Sequence, residues 1–240
     1  MAIGASVEKL YMWKPSLYAA ATQVTSTGQD DKGSFVRLAQ TIFHPQGGGQ
    51  PFDIGLLIKA NGEEVSVIGV QKELDPSDAL QQIQNTFEIK HYVQTPSLAV
   101  GEPVDMEIDV PRRKLNASLH SAGHLIAAVV NEKFPNLKAT GGHHIPGECR
   151  VDFKTSDADG IAKYTALITE FLSGAIAAKI AADKPVHILK SEEGGRSIQI
   201  EGYEGVSCGG THVEHLGQIP PVEIRGVKKE KDTLRVRYTV

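Results

Sequence analysis

The sequence predicts an α+β fold with a small β-barrel in its N-terminal half and helices packed on an antiparallel sheet in its C-terminal half. Short alternating apolar segments fill the first half. After Pro111 the apolar residues recur every three or four positions, and short alternating segments return towards the C-terminus. This change of period predicts two domains, a barrel over 1–110 and an α+β domain over 111–240.

Six alternating segments separated by turn residues predict strands in the N-terminal half. They span 17–25, 35–43, 54–60, 64–71, 87–94 and 104–110. Six strands without a long helix favour a small barrel or a curled sheet. The stretch Asp75-Pro-Ser-Asp78 also predicts a single helical turn that leads to Gln84.

Two main helices are predicted in the C-terminal half. The first begins after Pro111 and ends near Phe134 and Pro135, and the second covers 159–183. Strands are predicted at 186–190 and 196–201 around Gly194-Gly195, and a hairpin is predicted from 222–228 and 233–239. These elements complete the α+β prediction.

Composition indicates a soluble, cytoplasmic protein. Of the 240 residues, 40% are hydrophobic and 22% are charged. The sequence contains no run of about 18 consecutive apolar residues, so it predicts no membrane span. Neither does the N-terminus contain the apolar centre of a signal peptide. The two cysteines, Cys149 and Cys208, do not suggest a disulfide framework. A net charge of −4 argues against a general nucleic-acid coat protein, although a local basic face can still bind one tRNA end.

Two pairs of metal-type side chains share the same four-residue spacing. His120 and His124 lie on the first predicted helix, where this spacing places both imidazoles on one face. Cys208 and His212 repeat the spacing in a loop that contains two glycines. Three imidazoles and one thiolate are the donor set of a tetrahedral zinc site, so the sequence predicts one zinc ion per chain.

Other interpretations of these pairs remain open. The histidines can be ordinary helix-surface residues, and Cys208 can be a small core residue. A Cys–His nucleophilic pair is disfavoured, because the two glycines do not aim the imidazole at the thiol and no third group orients it. The motif does not fit a zinc protease, because Ser121 stands where that helix needs a glutamate base.

The motifs resemble a known family. His120-Ser-Ala-Gly-His124 and the segment 207–213 are similar to the paired motifs of alanyl-tRNA synthetase editing domains, whose free-standing versions are the AlaX-type trans-editing proteins. The segment 41–51, with three consecutive glycines, resembles the glycine motif of the family's barrel. Segments 109–113 and 194–208 resemble the stretches that precede the two metal motifs. Threonyl-tRNA synthetase editing domains share the ligand pairs but are not known with this glycine motif.

The resemblance implies hydrolysis of the aminoacyl ester at the acceptor end of mischarged tRNA-Ala, with Ser-tRNA-Ala as first substrate and Gly-tRNA-Ala as second. A barrel and an editing domain account for all 240 residues, which leaves no room for a synthetase's ATP-binding domain. Zinc either activates water or holds the substrate's amino or hydroxyl group. Four protein ligands fill the tetrahedral coordination shell of a zinc ion. Catalysis by zinc therefore needs either a fifth coordination position or a ligand that can be displaced. His212 is the candidate for the displaceable ligand, because its Gly-Gly-Thr tether is flexible.

Discrimination of serine from alanine requires a buried polar group that needs a hydroxyl partner, because a larger pocket admits both. Thr211, Ser121 and Thr140 are the hydroxyl groups nearest to the ligands in sequence, and Thr140 stands where the family often has glutamine. The resemblance also places Gly48, Gly49 and Gln50 beside the metal, whereas the alternative is a mobile barrel turn.

Basic residues at two places are the candidates for tRNA contact. Arg112, Arg113 and Lys114 precede the metal helix directly. A second set, which is equally well explained as a solvated face, consists of Lys228, Lys229, Lys231, Arg235 and Arg237.

Two further functions compete with editing of tRNA-Ala. One is a non-catalytic tRNA-binding module stabilised by zinc, and the other is a deacylase for a different mischarged tRNA, such as a threonyl-type enzyme. Among the remaining candidates, His143 and His144 either line the same site or are solvated, and Cys149 is predicted to be a core residue.

Overall fold

The fold is described from a computed structural model, which describes residues 7–73, 87–155, 162–191 and 195–240. The helical turn predicted at 75–84 lies outside these residues. The chain divides into two compact units. Unit one comprises 1–47, 51–113 and 190–197, and unit two comprises 48–50, 114–189 and 198–240. Helices combined with mostly antiparallel sheets confirm the α+β class.

Unit one is built around six antiparallel strands that pair in the order β2-β3-β7-β6-β5-β8 and close into a barrel. All six strands predicted in the N-terminal half are present. A short helix and a two-residue strand, neither of which the sequence predicted, accompany them. That strand pairs in parallel with residues 40–41, which lie inside the strand predicted at 35–43. The elements are β1 Glu8–Lys9, α1 Leu10–Trp13, β2 Ala19–Asp30, β3 Gly33–Leu38, β4 Gln40–Thr41, β5 Gly55–Lys59, β6 Glu64–Glu73, β7 Glu88–Val93 and β8 Pro103–Ile108.

The barrel strands alternate because one face of each strand packs into the core. In β8, Val104, Met106 and Ile108 are buried while the residues between them are exposed. Leu57 and Ile89, both fully buried, contribute to the same core. Burying each such aliphatic side chain stabilises the fold by about 1.5–3 kcal/mol.

Unit two combines two long helices with a four-stranded sheet of order β14-β15-β10-β9 and a three-stranded sheet of order β11-β12-β13. Strand β9 was not predicted, because its sequence Leu-Lys-Ala-Thr-Gly-Gly-His does not alternate. The elements are α2 Val110–Lys133, β9 Leu137–His143, β10 Arg150–Thr155, α3 Ala162–Ala181, β11 Val186–Lys190, β12 Arg196–Ile200, β13 Val206–Ser207, a 3₁₀ turn Leu216–Gln218, β14 Glu223–Glu230 and β15 Thr233–Thr239.

Helix α2 begins at a side-chain cap. The Asp109 carboxylate accepts a hydrogen bond from the Arg112 main-chain N–H at 2.9 Å, and the Asp109 carbonyl accepts the first helical bond from the Arg113 N–H at 3.0 Å. Further along, Leu119, Ala122 and Ile126 are buried in the core of unit two. The helix therefore begins at Val110, slightly before the predicted start after Pro111, and these buried residues agree with the predicted apolar face.

Helix α3 buries a stripe of residues four positions apart, Tyr164, Ile168, Leu172 and Ile176, in the core of unit two. By length and composition alone, Lys163–Ala181 is also long and apolar enough to cross a membrane. Core helices of soluble proteins pass the same test, so this property is weak support for a membrane span.

Candidate metal centre

Four side chains from two separate segments of unit two converge at one point. His120 and His124 come from α2, and Cys208 and His212 come from the loop after β13. Their ligand atoms all lie within 4.8 Å of one another. The Cys208 Sγ lies 3.5 Å from His120 Nε2 and 3.3 Å from His212 Nε2. We call these four residues the His₃Cys cluster.

The loop that carries Cys208 and His212 depends on a glycine in its middle. A Cβ atom added at Gly210 would collide with the ring of His120 and lie 2.9 Å from Gln50 Oε1. A Cβ atom at the neighbouring Gly209 would meet nothing within 4 Å. The Gly210 N–H also donates to the Cys208 sulfur at 3.4 Å. The absence of a side chain at 210 thus lets the loop lie directly against His120.

Gln50 determines which nitrogen of His120 carries the proton. The Thr211 main-chain N–H donates to Gln50 Oε1 at 2.9 Å, so the atom at this position is an acceptor. His120 Nδ1 lies 2.8 Å from the same oxygen and therefore donates to it. The second nitrogen, Nε2, is left with its lone pair on the side of Cys208, which is the tautomer that a metal ligand needs.

Ser121 plays the equivalent part for His212. Its hydroxyl oxygen accepts the Val213 main-chain N–H at 3.1 Å and lies 3.1 Å from His212 Nδ1. With Nε2 as the ligand atom, Nδ1 carries the proton and donates to Ser121. Two of the three imidazoles of the His₃Cys cluster are thus oriented by a neighbouring polar side chain.

A fourth histidine packs against this cluster. The ring of His144 stacks on that of His120, with centroids 4.5 Å apart and an angle of 24° between the planes. The Tyr238 hydroxyl donates to the Leu119 carbonyl at 2.8 Å and therefore accepts from His144 Nδ1 at 2.6 Å. Burial, followed by repulsion from His124 and His143, lowers the pKa of His144 to about 3, so its imidazole is neutral at neutral pH.

The chemistry of the His₃Cys cluster fits a zinc ion. Imidazole nitrogens and a thiolate are borderline to soft donors, which suit Zn²⁺ better than Mg²⁺ or Ca²⁺. His120 and His212 are buried while His124 and Cys208 are partly exposed. The cluster can therefore hold a metal ion, with one side screened from water and the other side accessible.

Comparison with known proteins shows several related chains, although no protein-family model matches the sequence. The chain is 31% identical over 230 residues to the alanyl-tRNA editing protein AlaX-M of Saccharolobus solfataricus, covering 87% of this chain and 90% of that protein. The chain belongs to the AlaX family of alanyl-tRNA editing proteins.

Two other AlaX proteins extend this relationship. The AlaX-M protein of Methanosarcina barkeri is 30% identical over 233 residues, which cover 88% of this chain and 90% of that protein. The AlaX-L protein of Pyrococcus horikoshii is 27% identical over 248 residues, which cover 97% of this chain and 58% of that protein. The resemblance inferred from the motifs is therefore confirmed over most of the chain.

Three residues of the glycine segment of this AlaX chain lie within unit two, close to the His₃Cys cluster. Gly48 to Gln50 belong to that unit, and the side chain of Gln50, 1% exposed, reaches His120 and Thr211. Gly49 has a φ of +77°, and a Cβ atom there would collide with the Gly142 carbonyl oxygen. Its own carbonyl accepts the His144 main-chain N–H at 2.8 Å. Glycine at 49 is thus required both by its backbone conformation and by the close approach of β9.

The three candidate hydroxyl groups lie in different surroundings. Thr211 is fully buried, and its hydroxyl oxygen and main-chain N–H both bond to Gln50. Ser121 is buried between His212 and Val213. Thr140 is exposed on β9, where its hydroxyl donates to the Asp152 carbonyl at 3.3 Å. Thr211 and Ser121 thus lie behind His120 and His212, and their part in reading the substrate stays a prediction.

The basic residues at the start of α2 also differ from one another. Arg113 is 1% exposed, and its guanidinium donates to Asp53 and to the Ile42 carbonyl within unit one. An internal ion pair thus holds this side chain inside unit one, which argues against its predicted contact with tRNA. Arg112 is half-buried and donates to the Phe52 carbonyl at 3.1 Å, whereas Lys114 is exposed. In the C-terminal set, Arg235 and Arg237 form ion pairs with acidic neighbours.

The remaining candidates divide into buried and exposed residues. Cys149 is buried in the core of unit two, as predicted, and burial raises the pKa of its thiol to about 11. His143 is partly exposed, 3.3 Å from a Glu148 carboxylate oxygen, while its neighbour His144 is buried against the cluster. The contribution of Tyr238 was missed, because no local pattern links a β15 tyrosine to a histidine after β9.

Proposed function

We propose that this chain is a zinc-dependent aminoacyl-tRNA deacylase that acts in trans on mischarged tRNA-Ala, with Ser-tRNA-Ala as first substrate and Gly-tRNA-Ala as second. The observation that carries the proposal is the His₃Cys cluster, whose donors are oriented by Gln50 and Ser121. The names of the related AlaX proteins, which describe alanyl-tRNA editing, support the reaction class.

Each residue near the cluster has a definable part in this proposal. His120, His124, Cys208 and His212 would hold one zinc ion, and Gln50 and Thr211 keep His120 in the ligating tautomer. When bound, zinc supplies a Lewis acid next to the ester that is cleaved. The editing function belongs to 111–240 together with Gln50, while 1–110 forms the barrel domain.

The glycines beside the cluster suit a bulky substrate. Gly48 is exposed, and a Cβ atom built there or at Gly141 would meet nothing within 4 Å. Bare main chain at these positions allows the terminal adenosine of a tRNA to approach donors and acceptors of the backbone. We infer that the acceptor end binds on this side of unit two, and that Lys114 contributes positive charge for its phosphates. Such a reaction belongs in the cytoplasm.

The proposal is tested by measuring deacylation of Ser-, Gly- and Ala-tRNA-Ala with and without a chelator. We expect hydrolysis of the seryl ester first and the glycyl ester second, sparing of the alanyl ester, and loss of all activity on chelation. Cys208→Ala should abolish turnover and zinc binding. Its matched control is Cys149→Ala, which removes the other cysteine and should leave both properties intact. A protein that binds tRNA-Ala and zinc but hydrolyses no ester would instead be the non-catalytic module.

A preference for a mischarged tRNA other than tRNA-Ala would favour the alternative function, a deacylase for a different tRNA. Including Ser-tRNA-Thr in the same assay separates the two enzymes. Cleavage of Ser-tRNA-Thr with no cleavage of Ser-tRNA-Ala would overturn the assignment to tRNA-Ala while leaving the deacylase chemistry in place.

A further inference from the structure

One ring nitrogen beside the His₃Cys cluster has no hydrogen-bond partner among the described residues. His144 Nδ1 bonds to Tyr238 and its main-chain N–H bonds to Gly49, but Nε2 bonds to nothing in that part of the chain. The Thr211 hydroxyl is already bonded to Gln50, and the Ser121 hydroxyl is already bonded to His212. His144 is buried and stacks on the ring of His120, but its Nε2 makes no hydrogen bond that stabilises the described part of the fold.

We propose that His144 determines the specificity of the deacylase: its Nε2 accepts a hydrogen bond from the side-chain hydroxyl of the aminoacyl group. This inference rests on the function proposed above and adds the residue that reads the substrate. Tyr238 is a positioning residue, because it acts on the substrate only through His144.

The hydrogen-bond chain behind His144 makes Nε2 an acceptor. The Leu119 carbonyl can only accept, so the Tyr238 hydroxyl donates its proton to it at 2.8 Å. The Tyr238 oxygen must then accept, and His144 Nδ1 donates to it at 2.6 Å. Since a neutral imidazole carries one proton, Nε2 retains its lone pair. Burial also raises the pKa of Tyr238, so the phenol keeps the proton on which this chain depends.

The ring of His144 occupies a slot that two glycines provide. A Cβ atom at Gly123 on α2 would collide with the His144 ring and lie 2.7 Å from the Tyr238 hydroxyl. A Cβ atom at Gly142 on β9 would lie 2.5 Å from Nε2. Nδ1 thus lies on the α2 side and Nε2 on the side of Gly142. Among the described residues, Nε2 is not one of the fully buried side-chain nitrogens that lack a hydrogen-bond partner, so this edge of the ring is accessible.

An acceptor fixed in this way distinguishes serine from alanine by chemistry rather than by volume. A seryl hydroxyl can donate to Nε2, whereas the methyl group of alanine would leave the nitrogen desolvated and unpaired. Sites built around a needed hydroxyl partner reject the analogue that lacks it far more strongly than a hydrophobic pocket rejects one methylene group. A glycyl ester has no side chain to displace water from Nε2, so its hydrolysis does not depend on this contact.

The first test compares two substrates on one variant. His144→Phe keeps an aromatic ring to stack on His120 but removes both nitrogens. We expect kcat/KM for Ser-tRNA-Ala to fall by about 10–100-fold, as for loss of one buried hydrogen bond. kcat/KM for Gly-tRNA-Ala should fall by a much smaller factor, and the protein should still bind about one zinc ion per chain. Tyr238→Phe removes the hydroxyl group that fixes the tautomer of His144. It should lower kcat/KM for Ser-tRNA-Ala by a smaller factor than His144→Phe does. Equal losses for both esters, or no loss for either, would overturn the inference.

A binding measurement separates this inference from the proposed function. Calorimetry is carried out on the zinc-loaded protein with the non-hydrolysable 3′-seryl and 3′-glycyl amides of 3′-amino-3′-deoxyadenosine. We expect the seryl amide to bind more tightly to the wild type and this preference to vanish in His144→Phe. If the wild type hydrolyses neither ester but prefers the seryl amide, and His144→Phe loses this preference, the deacylase assignment fails while the role of His144 in binding the seryl hydroxyl stands. If the wild type hydrolyses both esters and the preference for the seryl amide survives in His144→Phe, the role of His144 is wrong while the deacylase assignment stands.

Discussion

His91 illustrates how burial sets the protonation state of a single residue in unit one. The side chain is fully buried on β7, where Nε2 lies 2.8 Å from the Thr41 hydroxyl and Nδ1 lies 3.3 Å from the Val36 carbonyl. The carbonyl requires Nδ1 to donate, so Nε2 accepts from Thr41. Burial lowers the pKa of His91 from 6.5 to about 4, with the Val36 carbonyl opposing the shift. The folded barrel therefore holds this histidine neutral.

This shift makes the stability of unit one sensitive to acid. Between pH 6.5 and about 4 the unfolded chain binds a proton that the folded chain refuses, so the free energy of unfolding falls as the pH falls. At pH 5 the loss from His91 is on the order of 2 kcal/mol. Denaturant unfolding from pH 7.5 to 4.5 should show a shallower pH dependence for His91→Gln than for the wild type. The exposed His187→Gln is the control, and equal slopes for all three proteins would contradict the assignment.

At the scale of elements, the loop from Cys208 to His212 contains two adjacent glycines with different roles. Gly210 lies against the His120 ring and near Gln50, while Gly209 has open space where a side chain would stand. We expect Gly210→Ala to weaken zinc binding by at least about tenfold, because the added methyl group displaces a ligand and its hydrogen-bond partner. Gly209→Ala should bind zinc like the wild type. Competition with a zinc indicator measures both, and equal affinities for the two variants would contradict the described loop geometry.

The start of α2 gives a second pair of neighbours with opposite roles. Arg113→Met leaves the buried Asp53 carboxylate without its partner, which should lower the free energy of unfolding by about 3–5 kcal/mol. Lys114→Met should leave stability unchanged and weaken binding of tRNA-Ala, with a shallower dependence of affinity on salt. Urea unfolding and filter binding across a salt series measure the two properties. A stable Arg113→Met protein with weakened tRNA binding would restore the assignment made from the sequence.

These elements also show what the sequence reveals and what it does not. Spacing alone identified the four residues that converge in the His₃Cys cluster, because the four-residue period is a local property of a helix and a short loop. Two adjacent arginines, by contrast, point about 100° apart on a helix, and the sequence does not say which of them faces inwards. The use of His144 depends on Gly123 and Tyr238, which are distant in sequence. Such long-range packing leaves no local pattern to recognise.

At the scale of the whole molecule, each unit has its own hydrophobic core. Leu57, Val67 and Met106 belong to the core of unit one, and Ile126, Phe153 and Val236 belong to that of unit two. Of the His₃Cys cluster, Cys208 packs against the core of unit two, whose members are apolar side chains. We therefore expect the apolar packing of both units to persist when no metal is bound.

Cys208→Ala therefore tests whether zinc is catalytic or structural. For a catalytic ion we expect deacylation to be lost while the circular dichroism spectrum and cooperative unfolding remain close to those of the wild type. If zinc instead stabilises the fold, the same change should unfold unit two, with loss of its helical signal. That second result would favour the non-catalytic module over the deacylase.

The most direct measurement is a zinc titration of metal-free protein, with hydrolysis of Ser-tRNA-Ala followed at each step. We expect no hydrolysis without metal, a linear rise with added zinc, and a plateau at about one zinc ion per chain, since the His₃Cys cluster offers one set of four donors. Hydrolysis by the metal-free protein, or zinc binding at this stoichiometry with no hydrolysis at any step, would contradict a zinc-dependent deacylase.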